Sequence, residues 1–129
     1  MIVIDTCAVI WDALNPGRLS SAAKSAIEYH EHELVICDIS IWEISMLIKR
    51  KRLVLDDTVA GFINLLLQSR SYLVRAITPE IAELSVNFTA ELNNDPADRL
   101  IAATSVLLNA PVVTADKNLR DSSFVETIW

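Results

Sequence analysis

Apolar residues along the chain fall in two alternating patterns, short unbroken runs and longer stretches with helical spacing. Ile2–Asp5 opens with a strand-like run, followed by a short helical piece through Trp11 that breaks at Asn15-Pro16-Gly17. A helix starts near Ser20, a buried strand occupies Leu34–Cys37, and further helices span Ile41 to about Arg50 and Asp56 or Asp57 to Ser69. Tyr72–Ile77 reads as the next strand. Thr78-Pro79-Glu80 and Asp95-Pro96 each open a helix with a capping side chain and a proline at the first helical position. The second of these ends near Asn109. Pro111–Ala115 and Phe124–Ile128 complete the strands, with a short turn or helix at Asp116–Arg120 between them.

Strands that are apolar throughout and separated by helices predict an α/β fold, a parallel sheet covered on both faces in three layers. No linker, repeat or low-complexity segment interrupts it, so residues 1–129 are expected to form one domain. At 52% hydrophobic content the chain can bury a core without disulfides. The first residues carry no basic leader or membrane-length apolar run, which predicts a soluble, cytoplasmic protein without membrane contact. Cys7 and Cys37 are then expected to be reduced and to act as small hydrophobes. Zinc binding by Cys7, Cys37, His30 and His32 is the rival reading, and it lacks CxxC spacing.

The formal charge of −6, from 17 acidic and 11 basic residues, argues against a passive nucleic-acid coat with a broad basic face. It is compatible with acids gathered around a cation. The basic run Lys49-Arg50-Lys51-Arg52 reads as a solvated helix end.

In a parallel sheet the functional crevice lies beyond the carboxyl ends of the strands. Four acids fall there: Asp5 ends the first strand, Glu43 lies early in the helix after the second, Asp98 opens the helix before the fourth, and Asp116 follows the fourth. Each has a structural alternative. Ser40-Ile41-Trp42-Glu43 has the form of a capping box, and Asp98 suits the positive end of a helix dipole behind the cap Asp95. Asp5 follows a buried strand, where an unpaired carboxylate costs several kcal/mol in order of magnitude. Arg99 could pair with it. A divalent cation accounts for all four acids together, with Asp5 and Asp98 as direct ligands and Glu43 and Asp116 completing the shell or holding its waters. Oxygen-only ligands select Mg2+ or Mn2+, which suits metal-assisted phosphodiester hydrolysis. Thr6 and Thr114 are expected to orient carboxylates or the attacking water.

The segments MIVIDTCAVIW, ISIWEIS, NDPADRLIAATS and VVTADKNLR, in that order over the whole chain, resemble the PIN-domain ribonucleases, in particular the VapC-type toxins of toxin–antitoxin pairs. The resemblance places the family's acidic quartet on Asp5, Glu43, Asp98 and Asp116. It implies a five-stranded parallel sheet, Mg2+- or Mn2+-dependent cleavage of RNA, a homodimer, and inhibition by a small cognate antitoxin. Cys7 and Asn94 depart from it, each standing where histidine is common. A phosphotransferase of the haloacid dehalogenase type would need a second Asp where Cys7 stands, and a P-loop enzyme would need a glycine cradle that Gly17 and Gly61 cannot supply. The rival of another class is a PIN-like interaction module without catalysis. Trp11, Phe62 and Leu65-Leu66-Leu67 read as core or as partner and dimer surface.

Overall fold

The computed structural model describes residues 1–50 and 55–129. Lys51 and Arg52 lie outside the described residues, so only Lys49 and Arg50 of the basic run are placed, both exposed at the end of a helix. The strands are β1 (Ile2–Ile4), β2 (Leu34–Cys37), β3 (Leu73–Arg75), β4 (Val112–Val113) and β5 (Thr127–Ile128). All neighbours pair in parallel, in the order β3-β2-β1-β4-β5. The chain therefore winds outward from β1 to one edge, then crosses back to β4 on the other side of β1. That reversal is the topological switch point, and in sheets of this class the ends of its two strands border the functional crevice.

Among the described residues seven α-helices cover the sheet: α1 (Thr6–Leu14), α2 (Ser21–Tyr29), α3 (Ile39–Lys49), α4 (Val59–Ser69), α5 (Pro79–Asn87), α6 (Pro96–Leu108) and α7 (Lys117–Arg120). The period-two geometry of a strand divides the core. Ile2, Ile4, Leu34 and Ile36 point to one face and pack with Ala8, Val9, Ile27, Ile44 and Leu66 from α1 to α4. Val3, Val35, Cys37 and Val112 point to the other and meet Ile101 of α6. Ala102 and Ala103, which leave room for a close approach, seat α6 against Ile81, Phe88 and Leu92 of α5 and its following loop. Complete burial of an isoleucine such as Ile4 or Ile36 stabilises by about 1.5–3 kcal/mol.

Helices start behind polar caps, α4 behind Thr58 rather than at the expected Asp56 or Asp57. Ser20, Thr58, Thr78, Asp95 and Asp116 each accept from a backbone N–H two or three residues on. Asn109 closes α6 in the left-handed conformation (φ 49°). The expected break after α1 is a single turn of 3-10 helix at Pro16–Arg18. α1 itself runs to Leu14, past the expected end at Trp11, because nothing before Asn15 interrupts its helical bonding.

Several boundaries differ from the sequence pattern. α3 begins at Ile39, so Ser40 lies inside the helix and the capping box with Glu43 does not form. Its first flanking residue, Asp38, turns its carboxylate away to accept from Ile77 N at 3.2 Å. The last three strands are shorter than their apolar runs. β3 is an edge strand, and Leu73 and Val74 are 50% and 44% exposed. Of the apolar run in α4, Leu66 enters the core while Leu65 is 62% exposed, since adjacent helical residues point about 100° apart. Trp11 and Phe62 are partly buried against the core.

Candidate active site

At the carboxyl end of β1 the chain bends into α1 through Asp5, which is 8% exposed. Its N–H completes the ladder by donating to Val113 O (3.0 Å). Asp5 Oδ1 accepts from Thr6 N at 2.8 Å, which makes the residue the N-cap of α1, and Oδ2 accepts from the Thr114 hydroxyl at 2.7 Å. Thr114 Oγ1 in turn accepts from Asp116 N at 3.0 Å. One buried hydroxyl therefore ties the acid after β1 to the acid after β4, across the switch point. Asp116 caps α7, its Oδ1 accepting from Asn118 N (2.8 Å) and Leu119 N (3.2 Å).

Thr6 makes the corresponding tie to α3. Its hydroxyl hydrogen-bonds Ser40 Oγ at 2.8 Å and Glu43 Oε1, so Glu43 faces α1 and leaves the start of its own helix uncapped. Ser40, fully buried, supports Thr6 from behind. Thr6 and Thr114 thus each hold one of the acids.

Asp95 and Asp98 divide their tasks. Asp95 caps α6 by accepting from Ala97 N (2.9 Å) and Asp98 N (3.2 Å). The Asp98 carboxylate, one turn on, accepts from Asn93 Nδ2 at 3.0 Å. Arg99 does not pair with Asp5. Its guanidinium instead donates to the carbonyls of Ser85, Phe88, Thr89, Leu92 and Asn93. The end of α5 and the loop after it leave these acceptors without helical partners, and the planar donor fork of Arg99 reaches them all.

The pattern of residues gave no sign of Asn118 and marked Ser40 only as the start of a capping box. Asn93 Oδ1 accepts from Asp95 N at 3.0 Å, an Asx turn, and an asparagine two residues before a capping Asp is the one local signal for it. Asn94, the position that departs from the family resemblance, is exposed and borders a groove of about 600 Å³ between α5 and α6.

The acids act on one another. Burial pushes the Asp5 carboxyl from 3.8 to about 6 against the hydrogen bonds from Thr114 and Thr6, with the charges of Glu43 and Asp116 adding to the rise. Asp98 is likewise pushed up to about 6 by burial, opposed by Asn93 and reinforced by Asp116, Asp95 and Asp5. Burial also raises Glu43, opposed by its bond from Thr6, with Asp95 and Asp98 contributing. Cys7, exposed in the first turn of α1, has its thiol pushed up to about 11 by burial of its sulfur and by the surrounding carboxylates, so it remains protonated at neutral pH.

Among the described residues no three Asp, Glu, His or Cys side chains converge closely enough to enclose a metal ion by themselves. The zinc reading fails here, since His30 and His32 precede β2 whereas Cys37 ends it and Cys7 follows β1. The carboxylates stand apart because each is held by its own donor: Asp5 by Thr6 and Thr114, Glu43 by Thr6, Asp98 by Asn93 and Asp116 by the start of α7. Glu43 Oε2, Asp98 Oδ1 and Asp116 Oδ2 keep no protein donor among the described residues. This all-oxygen set fits a small hard cation that takes one or two carboxylates directly and keeps water for the rest of its shell, the usual mode for magnesium.

The sequence pattern of the PIN domain covers residues 2–125. Ribonuclease VapC22 of Mycobacterium tuberculosis is 34% identical to this chain over 132 residues, spanning 99% of this chain and 98% of that protein. The fold is similar to that of a toxin–antitoxin complex from Klebsiella pneumoniae (TM-score 0.69, 21% identity, 97% of this chain and 95% of that one). It is also similar to VapBC2 from Rickettsia felis, crystallised with a promoter DNA fragment (TM-score 0.71, 16% identity, 98% and 97%). With four acids at the switch point of a five-stranded parallel sheet, and with these likenesses over nearly its full length, the chain belongs to the PIN-domain family and has a VapC protein among its relatives.

Proposed function

We propose that this protein is an Mg2+- or Mn2+-dependent endoribonuclease and the toxin of a toxin–antitoxin pair, with Asp5, Glu43, Asp98 and Asp116 as its active site. The observation that carries the reading is geometric: hydrogen bonds through Thr6, Thr114 and the Asn93–Asn118 pair tie together acids that follow β1 and β4 and lie early in α3 and α6, at the carboxyl end of the sheet. Capping roles at Asp5 and Asp116 do not explain why Glu43 is bonded to Thr6, the residue after Asp5, or why Asp98 is bonded to Asn93, which is tied through Asn118 to Asp116. Asp5 and Asp98 would hold the ion, with Glu43 and Asp116 completing its shell or its waters. Bound there, the ion supplies Lewis-acid polarisation of the scissile phosphate and lowers the pKa of a coordinated water.

The rest of the chemistry falls to the chain. Glu43, raised by burial and with no donor on Oε2 among the described residues, accepts a proton from the attacking water. Thr6 and Thr114 fix the carboxylates of Glu43 and Asp5 so that neither reorganises when a phosphate arrives. VapC22, the curated relative, is named a ribonuclease, which supports RNA as substrate. The solved relatives include toxin–antitoxin complexes, which supports a small protein partner. An acid cluster whose four carboxylates form no ion pair among the described residues suits a basic antitoxin side chain, since Arg or Lys neutralises carboxylates and competes with the ion. The working unit is a homodimer of this single domain, acting in the cytoplasm. No helix among the described residues is long and apolar enough to cross a membrane.

Brief induction in cells, followed by sequencing of the new RNA 5′ ends, tests this reading. Wild type is expected to generate a small set of recurrent ends and Asp5→Asn none. Identical end profiles from the two would overturn it.

A further inference from the structure

Asn93 lies in the loop between α5 and α6, and each of its polar groups is used. Its N–H donates to Asn118 Oδ1 at 2.9 Å, its carbonyl accepts from Arg99 Nε at 2.7 Å, and its Oδ1 accepts from Asp95 N at 3.0 Å. Those bonds anchor the residue to α7, to α6 and to its own turn. The remaining group, Nδ2, donates to Asp98 Oδ2 at 3.0 Å. Asn118, at the other end, donates its N–H to Asp116 Oδ1 at 2.8 Å. A continuous strut therefore runs Asp98–Asn93–Asn118–Asp116 and joins two acids that lie on different helices.

We infer that Asn93 is a positioning residue for the metal-binding form of Asp98, an inference that rests on the reading given under Proposed function. A carboxylate in the first turn of a helix rotates freely about its own bonds unless something holds one oxygen. Asn93 Nδ2 takes Oδ2 and leaves Oδ1 without a donor among the described residues, which decides the edge of the carboxylate offered to a cation. An amide is required for this. A carboxylate at position 93 would set acceptor against acceptor, and a shorter side chain would keep the turn and lose the reach.

Asn93→Ser separates the two roles, because a serine hydroxyl can replace Oδ1 in the turn to Asp95 N while supplying no donor at the distance of Asp98. Asp12→Ala is the control: it removes the carboxylate that accepts from Arg70 and Tyr72, a tie between α1 and the end of α4 that does not involve Asn93 or Asp98, and leaves Nδ2 in place. Mn2+ affinity, measured by calorimetry on each purified protein without RNA, is the readout, with melting in EDTA to show that each is folded. Asn93→Ser is expected to weaken Mn2+ binding by about tenfold, as loss of a group that orients a ligand commonly does. Asp12→Ala is expected to melt lower and to keep its Mn2+ affinity within about twofold of wild type. In cleavage assays Asn93→Ser should lose kcat with KM for RNA unchanged. Unaltered Mn2+ affinity in a folded Asn93→Ser, or equal losses in both variants, overturns the inference and leaves the nuclease reading standing. Wild type that binds no Mn2+ overturns both. Should Asn93→Ser not fold, Asn93→Thr, whose hydroxyl can likewise replace Oδ1 in the turn without reaching Asp98, is measured the same way against the same outcomes.

Discussion

At Asp5 and Asp98 the fold keeps two carboxyls where burial and neighbouring charge raise them from 3.8 to about 6. For Asp5, which is nearly enclosed, that displacement corresponds to about 3 kcal/mol against the ionised form. A carboxyl raised in the folded state binds more protons folded than unfolded between the two values. Its contribution to stability is therefore full below about pH 4, and it is lost as pH rises through about 6. In EDTA, Asp98→Asn is accordingly expected to melt higher than wild type at pH 8, by roughly 3–6 °C, with the gap closing by about pH 5. It should also lack most of the Mg2+-induced rise of wild type. A helix-capping role alone predicts a lower melt at pH 8, because an acid in the first turn of a helix is favourable. The candidate acids were legible in the sequence because strand ends and helix starts mark themselves locally. Their holders were only partly so. Thr6 and Thr114 adjoin strand-end acids, whereas Ser40 and Asn118 reach their partners across distances in the chain that no local pattern encodes.

Among the elements, α6 and the loop before it bear the most on the site, and Arg99 holds that loop. Removing its side chain strands the carbonyls of Ser85, Phe88, Thr89, Leu92 and Asn93 at once. Arg99→Ala is expected to destabilise the fold by about 3 kcal/mol in urea unfolding, with Arg99→Lys recovering less than half of it, since an ammonium cannot span the same acceptors. A loss under about 1 kcal/mol would show that water replaces the guanidinium at these groups. A second tie joins α1 to the end of α4: Arg70 donates from Nε and Nη2 to Asp12 at 2.8 Å each, and the Tyr72 hydroxyl donates at 3.3 Å. The Asp12 side chain is 7% exposed, so Asp12→Ala should lower stability by about 2 kcal/mol by leaving both partners unmatched. Both ties explain why the sequence pattern yields the elements and misjudges their ends. Capping residues and apolar periodicity place α2, α5 and α6 well. Strand length, by contrast, is fixed by pairing, and β3 pairs on one side only, so three residues of a longer apolar run become strand.

For the whole molecule, the order β3-β2-β1-β4-β5 assembles the candidate site from segments spread from Asp5 to Asp116. No stretch of chain shorter than that contains it, so binding of an ion should report on the entire fold. Among partners, an antitoxin that inserts a basic side chain among these acids should bind Asp98→Asn more weakly than wild type, and calorimetry of the pair would check this. The central claim is that the four acids form one metal-dependent ribonuclease site. It is tested most directly by cleavage of single-stranded RNA with purified wild type, Asp5→Asn and Asp98→Asn, each in millimolar Mg2+ or Mn2+ and in EDTA. Cutting by wild type with metal alone, and loss of nearly all cutting in either variant, is the predicted result. Cleavage that persists in EDTA, or that survives in a purified variant free of host nuclease, would contradict it.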